Sequence, residues 1–132
     1  MIVDSSAVLA ILLKEPGWEP LLEHIADEDG MPGIGAPTLV ESGIVLAARL
    51  GATGKSLLAR FVQEIGMREI VFTSAHWPAA IDAFLRYGKG RHPAALNFGE
   101  CLTYATAVVA REPLLCIGDD FAQTDLPLVP VD

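Results

Sequence analysis

Short apolar runs alternate along the chain with longer stretches in which apolar residues recur at helical spacing. The short runs predict β-strands at residues 1–3, 69–73, 114–117 and 128–131. The longer stretches predict amphipathic helices within residues 5–13, 19–29, 39–50, 57–66, 74–88 and 96–107. Because strands that alternate with helices favour a parallel sheet covered by helices, the pattern predicts an α/β domain.

Glycine and proline mark the connections between these elements. The segments MPGIGAPT at residues 31–38 and GKGRHPAA at residues 88–95 are predicted to be loops. A chain of 132 residues, 52% of them hydrophobic, is long and apolar enough to bury one core. Since no repeat or interdomain linker interrupts it, residues 1–132 are predicted to form a single domain.

The charge balance limits how the chain can meet a nucleic acid. A formal net charge of −8 argues against broad contact with a phosphate backbone, so any such contact must be local. The segment RYGKGRH offers the one basic patch, with Arg86, Lys89 and Arg91 beside His92. These side chains are candidates for holding the phosphates of a nucleic acid. A solvated, flexible glycine-rich loop is the alternative.

The apolar runs are all shorter than the ~20 residues that cross a bilayer, and Asp4 stands where a signal peptide carries positive charge. We therefore expect a cytoplasmic protein with no membrane contact. Cys101 and Cys116 lack metal-site spacing and are expected to be small apolar side chains. Trp77 and Phe98 are likewise expected to pack against other side chains rather than to stack on bases.

Acidic residues stand where a parallel sheet binds its ligands. Asp4 follows the first strand, and Asp119 and Asp120 follow the strand at 114–117. Glu41 and Glu100 lie near helix starts that can face the same edge. Each of the first four also has a structural explanation: Asp4 as a helix cap, Glu41 as a partner of the helix dipole, and the aspartate pair as turn residues. Glu100 has none, because apolar residues surround it.

A divalent cation resolves the repulsion that clustered carboxylates would otherwise suffer. Mg²⁺ and Mn²⁺ prefer oxygen ligands and need only a few carboxylates, with water and substrate phosphate completing the shell. Such an ion lowers the pKa of a water and neutralises charge on a phosphodiester under attack. The acidic set therefore predicts a Mg²⁺ or Mn²⁺ site.

Four segments carry a resemblance to a known family. They occur in the family's order, from one terminus to the other: MIVDSSAVLAILLKEP, APTLVESGIVLAARLG, YGKGRHPAALNFGECLTYATA and PLLCIGDDFAQTDL. In these segments the chain resembles the PIN-domain ribonucleases, and specifically the VapC toxins of bacterial VapBC toxin–antitoxin pairs. The third segment is the most specific, because it is long and unusual.

The resemblance implies a three-layer α/β/α domain with a central, mainly parallel sheet, and a Mg²⁺- or Mn²⁺-dependent endoribonuclease. Asp4 corresponds to the first metal-binding acid and Glu41 to the helix glutamate of the catalytic set. Glu100 stands where the family normally has aspartate. Asp120 is favoured as the fourth acid over its neighbour Asp119, and Asp125 in the motif TDL is a weaker candidate.

The resemblance also implies a VapB-type antitoxin as partner, an RNA substrate, and a homodimer. The helices around residues 39–66 supply apolar faces that can pair in such a dimer. Ser6 is expected to orient a carboxylate or a water, and Asn97 to cap the Glu100 helix. The alternative function is an interaction module that binds the antitoxin but cleaves poorly, because Glu100 replaces aspartate. A receiver-like phosphoryl enzyme is disfavoured, since it needs a late lysine and none follows Lys89.

Overall fold

A parallel four-stranded sheet forms the centre of the computed structural model, which describes residues 1–27 and 31–131. Its strands are β1 (Ile2–Val3), β2 (Gly33–Gly35), β3 (Arg68–Ile70) and β4 (Leu114–Leu115). They lie in the order β3-β2-β1-β4, and every neighbouring pair is parallel. The predicted α/β class with a mainly parallel sheet is confirmed.

Six α-helices and one short 3₁₀ turn complete the described part of the chain. The helices are α1 (Ser5–Leu12), α2 (Trp18–Ala26), α3 (Ala36–Leu50), α4 (Ala52–Ile65), α5 (His76–Tyr87) and α6 (Phe98–Ala110). The 3₁₀ turn covers Phe121–Gln123. Among these described helices, none is long and apolar enough to cross a membrane.

The helices cover both faces of the sheet, which gives the three layers. Ile2 and Leu114 pack into a core with α5 and α6, whereas Val3 and Leu115 pack into a second core with α1 to α4. Successive residues of a strand point to opposite faces, so two-residue strands already feed both cores. The four side chains are almost completely buried.

The prediction of a loop over residues 31–38 is wrong at its centre. Gly33–Gly35 forms β2, an inner strand between β1 and β3. A Cβ on Gly35 would lie 2.9 Å from Thr106 Oγ1 of α6, so the helix approaches the strand closely and the Thr106 side chain would have to shift for any larger residue. Ile34 is the strand's one large side chain, and a single apolar residue between two glycines carries no strand signal.

Smaller differences concern the ends of elements. The predicted strand at 128–131 contributes only an isolated parallel bridge between Leu114 and Leu128. The predicted strand at 69–73 ends early, at Ile70. The helix predicted within 19–29 is described as far as Ala26, and its predicted end lies outside the described residues.

Helices α3 and α4 form a hairpin that depends on one glycine. A Cβ on Gly54 would lie within 3 Å of backbone atoms of Leu46 and Ala47, which cannot rotate away as a side chain can. The two helix backbones therefore touch at this point. Gly43, on α3, has only the Leu58 side chain near it, at 3.4 Å from an added Cβ.

We expect Gly54→Ala to lower the free energy of unfolding by about 2 kcal/mol, because overpacking outweighs the gain in helix propensity. Urea unfolding of the purified protein measures the difference. Gly43→Ala is the matched control and is expected to be neutral or to stabilise by up to about 1 kcal/mol. Equal stabilisation by both substitutions would contradict a backbone contact at Gly54.

Candidate acidic active site

Asp4 combines the two roles that its sequence position allows. It is the N-cap of α1 and is 5% exposed at the carboxyl end of β1. Its Oδ2 accepts hydrogen bonds from the Ser6 backbone N–H at 3.1 Å and from Ser6 Oγ at 2.6 Å. Ser6 therefore orients this carboxylate, as one of its predicted roles requires.

The pairing of β1 with β4 brings a second acidic segment to Asp4. The Asp4 N–H donates to the Leu115 carbonyl at 2.9 Å, and the Ile117 N–H donates to Ser6 Oγ at 3.0 Å. The chain then turns at Gly118, whose φ of +97° suits glycine, and reaches Asp119 and Asp120. The carboxyl ends of the two adjacent strands thus open at one place.

Glu100 lies in the first turn of α6 and closes a capping box with Asn97. The Glu100 N–H donates to Asn97 Oδ1 at 2.8 Å, and the Asn97 N–H donates to Glu100 Oε1 at 3.0 Å. The prediction that Asn97 caps this helix is confirmed. The glutamate therefore has a structural bond that uses its full length.

The pKa of Glu100 shows that it shares its surroundings with other acids. Burial, followed by a hydrogen bond with Asp120 and by the charges of Asp120 and Asp4, raises it from 4.5 to about 7, against the opposing bond from Asn97. Burial and the charges of Asp4, Glu100 and Asp120 likewise raise the pKa of the Cys116 thiol to about 12. Three predicted acids thus create one negative region.

Asp120, rather than Asp119, is the aspartate of the turn that acts on this region. Its charge contributes to both raised pKa values. Asp119 and Asp120 are both exposed in this turn. The electrostatic contributions agree with Asp120 as the fourth acid, and that assignment stays a prediction.

Glu41 reaches the same edge from α3. A Cβ on Gly99 would collide with the Glu41 carboxylate, so this carboxylate lies directly against the start of α6. A buried hydrogen bond of 3.1 Å between Thr38 and Thr103 joins the two helices nearby. Gly99 thus makes room for the glutamate next to Glu100, a role that the sequence alone did not indicate.

The donor set suits a hard divalent cation, although it is not a formed ligand cage. Within residues 1–27 and 31–131, no three Asp, Glu, His or Cys side chains lie close enough together to hold a metal ion as they stand. Asp4 is turned towards Ser6 and Glu100 towards the Asn97 N–H. Because mutually repelling carboxylates raise one another's pKa, a cation between them would relieve the charge. Metal binding by Asp4, Glu100, Asp119 or Asp120 remains a prediction.

The basic segment is folded rather than free. The Lys89 N–H donates to the Leu96 carbonyl and the Leu96 N–H to the Tyr87 carbonyl, so the segment closes on itself. Arg86 donates to Asp125 at 3.3 Å, Arg91 to the Leu85 carbonyl at 3.2 Å, and His92 Nδ1 accepts from the Ala94 N–H. Lys89 and Arg91 nevertheless remain exposed. The phosphate-binding role of these four residues stays a prediction.

An apolar surface adjoins the acidic edge, and the sequence analysis identified only its part on α3, within residues 39–66. We call it the apolar face, and it comprises Val40, Ile44, Trp77, Ile81, Phe84 and Phe98, all exposed. Phe98, 81% exposed, separates a groove of about 710 Å³ between α5 and α6 from one of about 500 Å³ between α3 and α6. Trp77 and Phe98, which were expected to pack against other side chains, are both largely exposed on this face.

The chain matches the PIN domain family over residues 1–126. It belongs to that family. Ribonuclease VapC36 of Mycobacterium tuberculosis is 48% identical over 126 residues, which cover 96% of this PIN domain chain and 91% of the relative. The predicted resemblance is confirmed.

Solved structures give the same fold at low identity. Mycobacterium tuberculosis VapC20, a sarcin-ricin loop cleaving toxin, has a TM-score of 0.79 at 15% identity over 97% of both chains. A toxin–antitoxin complex from Klebsiella pneumoniae has a TM-score of 0.72 at 15% identity, covering 98% of this chain and 96% of the other. The PIN fold is thus supported by sequence and by structure.

The raised pKa of Glu100 predicts how the metal-free PIN domain responds to pH. Between pH 4.5 and about 7 the folded carboxyl holds a proton that the unfolded chain has released, so stability falls as pH rises through this interval. Glu100→Gln removes the charge and keeps an acceptor for the Asn97 N–H. We expect it to raise the melting temperature at about pH 8 and to change it little at about pH 4.

Differential scanning calorimetry with EDTA present measures both values. Glu23→Gln, at an exposed position of α2, is the charge-matched control and is expected to show no such pH dependence. A Glu100→Gln protein that follows the wild type at both pH values would contradict the electrostatic coupling.

Proposed function

We propose that this PIN domain is a Mg²⁺- or Mn²⁺-dependent endoribonuclease and the toxin of a type II toxin–antitoxin pair. The observation that carries the proposal is the meeting of Asp4, Glu100 and Asp120 at the carboxyl end of the sheet, with Glu41 alongside. The ribonuclease name of VapC36, almost half of whose aligned residues are identical, supports the same activity.

Different elements of the fold hold the acidic residues in place. Asp4 is held by Ser6 and by the N-terminus of α1, and Asp120 is presented by the turn after β4. When bound, a divalent ion supplies a water of lowered pKa and neutralises charge on the phosphodiester. Because the pKa of Glu100 is raised to about 7, a proton on this carboxyl competes with a cation near neutral pH and must leave before Glu100 binds it.

RNA binding is assigned to the exposed part of the basic segment. Lys89 and Arg91 are exposed and place positive charge on a protein of net charge −8. Arg86 is paired with Asp125, and His92 is only partly exposed, so these two contribute less to a phosphate contact than Lys89 and Arg91. The proposed reaction takes place in the cytoplasm, where RNA and antitoxin are available.

A catalytically weak interaction module is the second candidate. The observation in its favour is the bond that ties Glu100 to the Asn97 N–H, because this oxygen must turn or share to bind a cation. The remaining acids favour cleavage, since Asp4 and Asp120 act on the same region. The two candidate functions therefore differ in how fast the wild-type protein is expected to cleave RNA.

The antitoxin partner is supported by structural similarity to a toxin–antitoxin complex. An arginine of such a partner can form paired hydrogen bonds with carboxylates at the acidic edge, where its charge replaces that of the cation. A VapB-type antitoxin would then inhibit the enzyme by occupying the proposed metal site.

A second copy of this chain is the proposed occupant of the apolar face. Side chains of α3, α5 and the start of α6 present contiguous apolar surface, which is typical of homodimer interfaces. Lys89 lines one groove and Glu41 the other, so a two-fold arrangement can pair opposite charges at its rim. The sequence analysis placed the dimer on residues 39–66, and α5 and α6 now extend that surface.

The catalytic assignment predicts that Asp4→Asn abolishes cleavage while preserving the fold. Asparagine caps a helix as well as aspartate does, but it is a poorer cation ligand. Because even outer residues of metal sites cost 10–100-fold on mutation, we expect a loss of at least about a hundredfold in the rate with Mn²⁺. Gel assays on structured RNAs measure it, with Asp27→Asn, an exposed position, as the control.

Glu100→Asp separates the two candidate functions in the same assay. Slow wild-type cleavage that Glu100→Asp accelerates would favour the weak module, in which glutamate limits the reaction. Cleavage that persists in Asp4→Asn would exclude this acidic site as the source of the activity.

The dimer assignment predicts that Ile44→Glu gives a monomer. Ile44 is 65% exposed on the apolar face, and an unpaired charge buried there costs about 3 kcal/mol, or more than a hundredfold in dissociation constant. Light scattering after size exclusion measures the mass. Val108→Glu, on an exposed apolar residue of α6 outside the apolar face, is the control and is expected to remain dimeric. A monomeric wild type would exclude the dimer.

A further inference from the structure

Three side chains outside the acidic site connect α5, α6 and the segment after β4. Tyr104 Oη donates to Asp125 Oδ1 at 2.5 Å, and Arg86 Nη2 donates to Asp125 Oδ2 at 3.3 Å. We call Tyr104, Asp125 and Arg86 the tyrosine clasp. Both oxygens of Asp125 have protein partners in it, and neither the proposed chemistry nor the core packing requires this arrangement.

Tyr104 stands one helical turn after Glu100, so both side chains project from the same side of α6. The tyrosine is 4% exposed, and its ring lies 5.9 Å from that of Tyr87. Packing therefore holds the ring, and the hydroxyl is aimed at the segment that follows β4.

The segment from Asp120 to Leu126 is internally bonded. Thr124 Oγ1 donates to the Phe121 carbonyl at 2.7 Å and accepts from the Leu126 N–H at 3.2 Å. The Gln123 N–H donates to the Asp120 carbonyl, and the Phe121 side chain is buried in the core. A restraint at Asp125 is therefore passed along the segment to Asp120.

We propose that Tyr104 is a positioning residue whose hydroxyl, through Asp125, holds the segment carrying Asp120 against the helix carrying Glu100. The inference rests on the proposed function for its catalytic consequence. It makes the spacing of two acids, which come from separate elements, depend on one hydrogen bond. Arg86 acts in the clasp by holding the second oxygen of Asp125 rather than by binding RNA.

Tyr104→Phe tests the proposal, because it removes the hydroxyl and keeps the ring. In the metal-free full-length protein, we expect faster hydrogen exchange of the backbone amides of residues 121–126. With Mn²⁺, we expect about tenfold weaker binding by isothermal titration calorimetry. Asp125→Asn keeps an acceptor for Tyr104 and is expected to bind Mn²⁺ as the wild type does, whereas Asp125→Ala is expected to match Tyr104→Phe.

Tyr87→Phe is the matched control. It removes the same atom from the neighbouring buried ring; the lost hydroxyl accepts from Arg86, and the bond between Tyr104 and Asp125 that the proposal needs stays in place. Unchanged exchange in Tyr104→Phe, or an equal loss in Tyr87→Phe, would overturn the inference. A wild type that neither binds Mn²⁺ nor cleaves RNA would instead overturn the proposed function, while the exchange rates still decide whether the clasp restrains the segment.

Discussion

The candidate site depends on the parallel pairing of β1 with β4. This pairing sets the carboxyl ends of two strands side by side, although more than a hundred residues of chain separate them. The Asp4 N–H donates to the carbonyl of Leu115 in β4, and the Ser6 hydroxyl accepts from the N–H of Ile117, two residues after that strand. Backbone pairing therefore places Asp4 and Asp120 at the same edge of the sheet, where their negative charges repel each other. Neighbouring residues reduce this repulsion by donating hydrogen bonds to the carboxylates, as Ser6 does to Asp4.

Glu100 shows how one side chain meets both a structural and an electrostatic demand. A capping box needs a glutamate or glutamine at its position, because the side chain must reach back to the N–H of the capping residue. An aspartate is too short for that bond. This gives a physical reason for the glutamate at position 100. The bond from Asn97 favours the charged form, yet burial and the neighbouring acids outweigh it and raise the pKa to about 7.

Periodicity and punctuation predicted the helices, the fold class and three of the four strands, because each of those elements carries its own apolar pattern. The strand Gly33–Gly35 could not be predicted, because glycine has a low preference for strands. Its two glycines make room for side chains of α6 and of the neighbouring strands, and the local sequence does not show those contacts. The acids could be named from their positions after strands and near helix starts, but Gly99 and the tyrosine clasp could not, because their roles depend on contacts between separate elements. Most of the apolar face was not predicted, because the spacing of apolar residues along a helix does not show whether that face of the helix is exposed or buried.

The apolar face and the acidic edge share α3 and the start of α6. Glu41 lines the smaller groove together with Val40, Ile44 and Phe98, while its carboxylate lies against Gly99 next to Glu100. A second copy covering this groove would remove water from around Glu41, and the lower local dielectric would strengthen its interaction with every nearby charge. In the proposed dimer, subunit association would therefore raise both the cost of leaving the acidic edge without a cation and the stabilisation gained when a cation binds. Assembly and metal binding would then be linked through one carboxylate.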